Sequence, residues 1–212
     1  MSSTAITAQR SSLKIATAQG SPLTITAITK ANPAVVTATN TFVGGEIIQI
    51  DAVGGMVETN GRAYVVAVPT GTNFQLKGVD STSYTTYVSG GTATPQTMTT
   101  VGNIKDFDIQ PDKPAEIDVT NLASTRKEFR IGLAGSWTMT STMDIDSSDT
   151  GQAELTKAQN DGLSRVLTVA LSNGKMFAGV GYILQFNAKG SPEAVVAGTL
   201  SVRGTGQPTW FA

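Results

Sequence analysis

Turn-forming pairs at Asn32-Pro33, Gly44-Gly45, Gly54-Gly55, Asn60-Gly61 and Thr70-Gly71 cut the first half of this chain into strand-length pieces. The pieces between them, residues 23–28, 34–37, 46–50, 63–68 and 73–76, are apolar or alternate, and each is too short for a stable helix. Strands this brief and this regularly punctuated predict a small roll or barrel. Composition points the same way, because 22 glycines and only 6% aromatics suit many short strands better than a helical bundle.

Two stretches of small residues, Gly and Pro flank this unit: residues 17–22 (TAQGSP) and 90–95 (GGTATP). Their composition is that of linkers. It divides the chain into a discontinuous domain, residues 1–22 and 95–212, and an inserted small β domain, residues 23–94.

The outer domain reads as strands, one helix, then strands. In residues 115–120 Ile117 and Val119 alternate with Glu116, Asp118 and Thr120, and Phe129, Ile131 and Leu133 alternate with Arg130 and Gly132. Such patterns predict one core face and one wet face. Trp137, Met139 and Ser141 oppose Ser136, Thr138, Thr140 and Thr142, a strand with one small-hydroxyl face. Asp149, three residues before Gln152, has capping-box spacing and starts a helix over residues 151–160 that Gly162 ends. Leu155 and Ala158 give that helix a thin apolar stripe. Residues 165–171 and 176–186 flank Asn173-Gly174, a pair suited to a type I′ hairpin turn. A last strand is expected over residues 194–202.

Chemistry is constrained by what is missing. The sequence has neither Cys nor His, which removes thiolate nucleophiles, disulfides, Cys/His zinc sites and Ser-His-Asp triads. With 15 basic and 16 acidic residues it has no excess positive charge to neutralise a nucleic-acid backbone. No apolar run is long enough for a membrane span or a signal sequence, so a chain that starts out soluble in the cytoplasm is expected. The acids of residues 144–149 lack the glycine and bidentate glutamate of a calcium loop and read as complements to a helix N-terminus. Asp106, Asp108, Asp112, Glu116 and Asp118 read as a solvated strand face rather than a hydrolase carboxylate pair. Trp137, Trp210 and Tyr182 read as core or interface anchors, and Gly179-Val180-Gly181 as a bulge or a close backbone approach. No enzyme, cofactor or metal is expected.

From Val101 to Phe211 the chain resembles the tail tube (major tail) proteins of long-tailed, non-contractile bacteriophages. The resemblance rests on residues 115–122 (AEIDVTNL), 136–140 (SWTMT), 150–155 (TGQAEL), the Asn173-Gly174 hairpin and residues 200–208 (LSVRGTGQP), in that order and spacing. The inserted unit resembles a small β module named for the first catalytic-cysteine half-domain of ubiquitin-activating enzymes. Residues 34–37, 53–56, 60–64, 73–76 and 78–81 carry that likeness, and residues 40–42 depart from it.

The resemblance implies a mainly β fold: a two-sheet sandwich or barrel with one flanking helix, plus the inserted β-roll. It implies six subunits closing a ring whose inner sheets merge into one barrel, with rings stacking into a hollow tube for genome ejection. An N-terminal arm, residues 1–12, and a loop, residues 104–114, are the expected stacking elements, with Ser2, Arg10, Asp106, Asp108, Asp112 and Lys113 as inter-subunit residues. Ser136, Thr138, Thr140 and Thr142 are the expected lumen residues. Implied partners are further copies of the chain, a tape-measure protein, and tail tip and terminator proteins; DNA passes without specific binding, and no membrane is entered. The alternative is a phage decoration or receptor- or carbohydrate-binding tail protein built of β modules, with Tyr64, Tyr84 and Tyr87 as exposed aromatics.

Overall fold

The computed structural model describes residues 6–133 and 135–210. The fold is mainly β with one helix, as the sequence implied. Its elements are β1 (Ser12–Gln19), β2 (Leu23–Thr24), β3 (Ala27–Ile28), β4 (Val35–Thr37), β5 (Ile47–Gly54), β6 (Arg62–Ala67), β7 (Asn73–Leu76), β8 (Ser89–Val101), β9 (Ile104–Pro111), β10 (Glu116–Asp118), β11 (Phe129–Ile131), β12 (Trp137–Asp144), α1 (Thr150–Asp161), β13 (Arg165–Ala170), β14 (Met176–Ser191) and β15 (Ala194–Thr209), with a single 3-10 turn at Val57–Thr59.

Hydrogen bonding runs unbroken through one thirteen-stranded antiparallel system in the order β3-β4-β7-β6-β5-β8-β1-β13-β14-β15-β12-β9, with β2 added to β8. Strands β10 and β11 pair only with each other. Most of the two expected linkers is therefore strand: residues 17–19 close β1 and residues 90–95 lie within β8, while residues 20–22 connect β1 to β2. Gln96 of β8 lies between Gln19 of β1 and Ile47 of β5, and Leu23 pairs with Ala93. Their linker-like glycines serve an irregularity in the β5–β8 ladder. Gly90 and Gly91 take φ of 68° and 99° there, and a side chain on Gly91 would strike Val53.

Two apolar cores sit on either side of this strand. Ile25, Val36, Ile48, Ile50, Tyr64, Phe74 and Leu76 belong to one; Leu13, Trp137, Met139, Leu155, Leu167, Phe177 and Leu200 belong to the other. A third cluster of small residues, Ala16, Ile47, Ala63, Val65, Val166, Ala178 and Val180, joins β5 and β6 to β1, β13 and β14. Polar bonds reinforce that joint: Arg62 Nη2 donates to Pro208 O at 3.5 Å and Thr209 Oγ1 to Ala63 O at 2.8 Å.

Helix α1 begins where Asp149 Oδ1 accepts from the Gln152 amide at 2.7 Å and ends at Gly162 with φ 64°. Only half of the expected capping box forms. The buried Gln152 side chain turns away from the cap instead, accepting from the Asp146 amide and donating to Gly102 O and Asp144 O. The β13–β14 turn also differs from type I′. Gly174 donates to Leu171 O, Leu171 to Lys175 O, and of the central residues only Gly174 has positive φ, at 80°. This is the pattern of a three-residue loop with a G1 bulge, in which Asn173 needs no left-handed conformation.

Trp137 organises the second core. It is fully buried and meets Phe177 edge to face at 5.1 Å, and its indole lies flat against Gly204 of β15 and Gly179 of β14. Gly179 combines both readings made of it, since the β14–β15 register also slips between Ala178 and Val180. A methyl group on Gly204 would overlap the indole, so Gly204→Val is expected to cost at least about 2 kcal/mol by overpacking. Asp149→Ala is expected to cost about 1 kcal/mol by loss of the cap. Chemical denaturation of each variant checks both values.

Candidate assembly surfaces

Strands β14, β15, β12 and β9 form a four-stranded outer segment whose register puts the polar residues on one face. Tyr182, Arg203, Thr138 and Gln110 make one cross-strand row; Gln185, Ser201, Thr140 and Asp108 the next; Asn187, Thr199, Thr142 and Asp106 the third. The opposite face carries Ile183, Val202, Met139, Ile109, Phe186, Leu200 and Phe107, which pack into the core. Period-two alternation yields this division, with the register slips between Ile183 and Gln185 and between Thr142 and Met143 resetting the phase.

Threonine and carboxylate groups grip each other across the polar face. Asp106 accepts from the Thr142 amide at 2.8 Å and from Thr142 Oγ1 at 2.6 Å. Asp108 accepts from Gln110 at 2.5 Å. Ion pairs bracket the two ends: Arg203 Nη2 to Asp112 at 2.6 Å, and Lys105 to Asp144 at 2.5 Å. With Lys189 on the same face, carboxylates 106, 108, 112 and 144 meet cations 105, 189 and 203, four against three, and the surface is slightly negative.

This segment has two open edges. Strand β9 ends the strand path and has no partner beyond it among the described residues. Strand β13 starts at Arg165, opposite Gly181, so residues 182–191 of β14 lie beyond its reach and, among the described residues, pair with a strand on the β15 side only. One amide on that edge, Phe186, is met by the Gln159 side chain of α1 at 3.0 Å. Unpaired strand edges of this kind are templates for another chain.

Beyond Pro111 and Trp137 the β9–β12 hairpin continues as an arm, residues 112–136, tied at its base by the Asp112 amide donating to Ser136 O at 2.9 Å. The arm overturns two expectations. Residues 104–111 are strand rather than loop, and the alternating runs around Ile117 and Phe129 are not core: Ile117 is 51%, Phe129 55% and Ile131 78% exposed. The register explains why. Ile117 pairs with Arg130, while Phe129 pairs with Asp118 and Ile131 with Glu116, so the apolar sides of the two strands face opposite ways and the ribbon has no apolar face to bury.

Of the expected site residues, Thr138, Thr140, Thr142, Asp106 and Asp108 share the polar face, and Asp112 and Lys113 stand at the arm base. Ser136 precedes β12, with its hydroxyl buried and unbonded. Arg10 is exposed with φ 66°, remote in sequence from these strands. Ser2 lies outside the described residues. Sequence reasoning missed the free β14 edge, which becomes visible only once the lengths of β13 and β14 are known.

No protein-family model matches the chain, and no curated protein sequence matches it. Among solved structures it is similar to a chain in the tail of an empty gene transfer agent particle with C6 symmetry, at 19% identity and a TM-score of 0.47 over 54% of this chain and 87% of that one. It is also similar to a chain in the virion of a native gene transfer agent particle, at 19% identity and a TM-score of 0.48 over 54% and 89%.

Among the described residues no three His, Cys, Asp or Glu side chains cluster to hold a metal, and no helix is long and apolar enough to cross a membrane. The acids of residues 144–149 act locally: Asp149 caps α1 and Asp146 accepts from Ser148. Because the arm is exposed and paired only with itself, limited trypsin digestion of the monomer is expected to cut first at Arg126, Lys127 or Arg130. Fragment masses showing first cuts within residues 23–94 would contradict this description of the arm.

Proposed function

We propose that the chain is a structural virion protein that builds the tube of a phage-like tail and catalyses no reaction. The observation that carries this reading is a four-stranded sheet with a dry face, a wet face and an open edge on each side. Pairing β9 of one copy with the open β14 edge of the next satisfies both sets of backbone groups, and repetition around an axis closes a barrel without edges. Six copies to a ring is the number implied by the sequence's resemblance to tail tube proteins. That resemblance also supplies the tape-measure, terminator and tip proteins as partners.

In this arrangement the wet face lines the bore. Threonines 138, 140 and 142 offer short hydroxyls, that of Thr142 engaged with Asp106, and Asp106 and Asp108 repel a passing phosphate backbone, so DNA slides without being held. The arm base at Asp112 and Lys113, and the N-terminal segment with Ser2 and Arg10, belong to contacts between copies. Residues 23–94, taken as the inserted module, lie at the far end of the strand path from β9 and face outward. The carbohydrate-binding alternative is disfavoured by its own aromatics: Tyr64 is fully buried, and Tyr84 and Tyr87 pack against the core with their hydroxyls bonded.

Negative-stain microscopy of the purified chain is expected to reveal rings and filaments; a monomer under every condition would refute the reading. The wall assignment has its own test. Asp108→Arg combined with Thr140→Arg is expected to make assembled tubes retain DNA at low salt, with retention falling steeply as salt rises. Unsubstituted tubes retaining DNA equally well would remove this face from the bore.

A further inference from the structure

Two Asn-Gly steps occur in the chain, Asn60-Gly61 and Asn173-Gly174, in the connections of the paired strands β5–β6 and β13–β14. Asparagine is thermolabile, and before glycine its carboxamide can close on the chain: the glycine nitrogen attacks Cγ, and without a Cβ on the glycine nothing obstructs the approach. The fold treats the two steps differently.

Asn60 is locked. Its Oδ1 accepts from Val53 N at 2.8 Å and its Nδ2 donates to Val53 O at 3.0 Å, which ties the side chain to β5. The Gly61 amide donates to Ile50 O at 2.9 Å and to Asp51 Oδ1 at 3.2 Å. Freeing that nitrogen disrupts the start of the β5–β6 ladder, where Ile50 pairs with Arg62. The Asp51 carboxylate also opposes the anion that the nitrogen must become.

Asn173 is exposed, and its Oδ1 accepts from the amide of Lys175, two residues on, at 3.0 Å. This turn folds the carboxamide back over the Gly174 peptide. Its Nδ2, the leaving group, has no partner among the described residues. As Gly174 N attacks, negative charge develops on Oδ1, where the Lys175 N–H already stands as a donor. Lys77 donates Nζ to Gly174 O at 3.2 Å and brings a second cation to the turn. The Gly174 amide has a bond to Leu171 O, at 3.0 Å, to give up. The loop lies beyond the last β13–β14 pair, Ala170 with Met176, so opening it leaves ladder and core intact.

We propose that Asn173 is a site of spontaneous deamidation in the folded chain and that Asn60 is spared. Gly174 N gives its proton to hydroxide and bonds to Cγ, Nδ2 leaves as ammonia with a proton from water, and a cyclic imide remains. Water then adds to either imide carbonyl. Breaking the Cγ–N bond gives aspartate; breaking the backbone C–N bond gives an isoaspartyl residue, with the chain running through Cβ and Cγ. Overall water is consumed and ammonia released, with no change of oxidation state. The aspartate product keeps an acceptor for the Lys175 amide. The isoaspartyl product lengthens a loop closed by Leu171 N donating to Lys175 O at 2.8 Å, and frays that end of the hairpin.

Mass spectrometry of the full chain, incubated folded or in denaturant at mildly alkaline pH and then cut with an acid-active protease, tests this. In the folded chain the exchange of NH2 for OH is expected at Asn173 at least about tenfold faster than at Asn60, and in denaturant at similar rates. Asn173→Asp, which supplies the first product directly, is expected to keep the Leu171 amide protected from hydrogen exchange, while the isoaspartyl fraction loses that protection. Equal rates in the folded chain, a faster Asn60, no reaction at either site, or the same preference in denaturant would overturn the assignment. An isoaspartyl fraction as protected as the parent would overturn the fraying.

Discussion

One strand holds this molecule together. Over its thirteen residues β8 gives its first half to β5 and β2 and its second half to β1. The two apolar cores are therefore flanges on a common backbone rather than beads on a string. Backbone hydrogen bonds within a ladder form cooperatively with their neighbours, and a hinge in the middle of β8 would break pairing on both sides at once. The small side chains of the joint, Ala16, Ala63 and Ala178 among them, let the backbones of the two halves approach closely.

Rigidity on one side of the molecule contrasts with unfinished bonding on the other. At the β9 end of the strand path the chain carries a row of unpaired backbone groups. It protects them in the monomer with the devices of a soluble edge strand: Lys105, Asp106 and Asp108 on β9, and the Gln159 side chain on the β14 edge. These are weak guards, easily displaced by a full ladder of backbone bonds. The opposite end of the path is blunted differently, since β3 has only two residues.

Much of the fold was legible because period-two patterns and turn pairs are local signals. The small strands of residues 23–94, the Trp137–Asp144 strand with its hydroxyl face, the Asp149 cap and the Gly162 stop all follow from residues within a few positions of one another. What escaped the sequence was set by partners distant in the chain. Residues 90–95 look like linker because small residues fill positions where Val53 crowds the backbone. Ile117 and Phe129 look like core because alternation tells which residues share a strand face, while burial depends on which face the partner strand presents. The threonine face was readable along β12, but its extension over Asp106, Ser201 and Asn187 needed the register of four strands.

The Arg62 and Thr209 bonds carry an implication for how such a chain can diversify. Thr209 holds the Ala63 carbonyl, and the buried Arg62, with no carboxylate partner among the described residues, reaches the carbonyl of Pro208 while its Nη1 donates to Tyr84 at 3.0 Å. The last strand of the chain is thus fastened by residues encoded far upstream. A foreign unit spliced between residues 22 and 95 would have to reproduce that clasp and the alanine-lined seam beneath it, or leave the C-terminal strand loose. Residues 23–94 are part of the frame, and exchanging them wholesale would demand matching changes at the chain's other end.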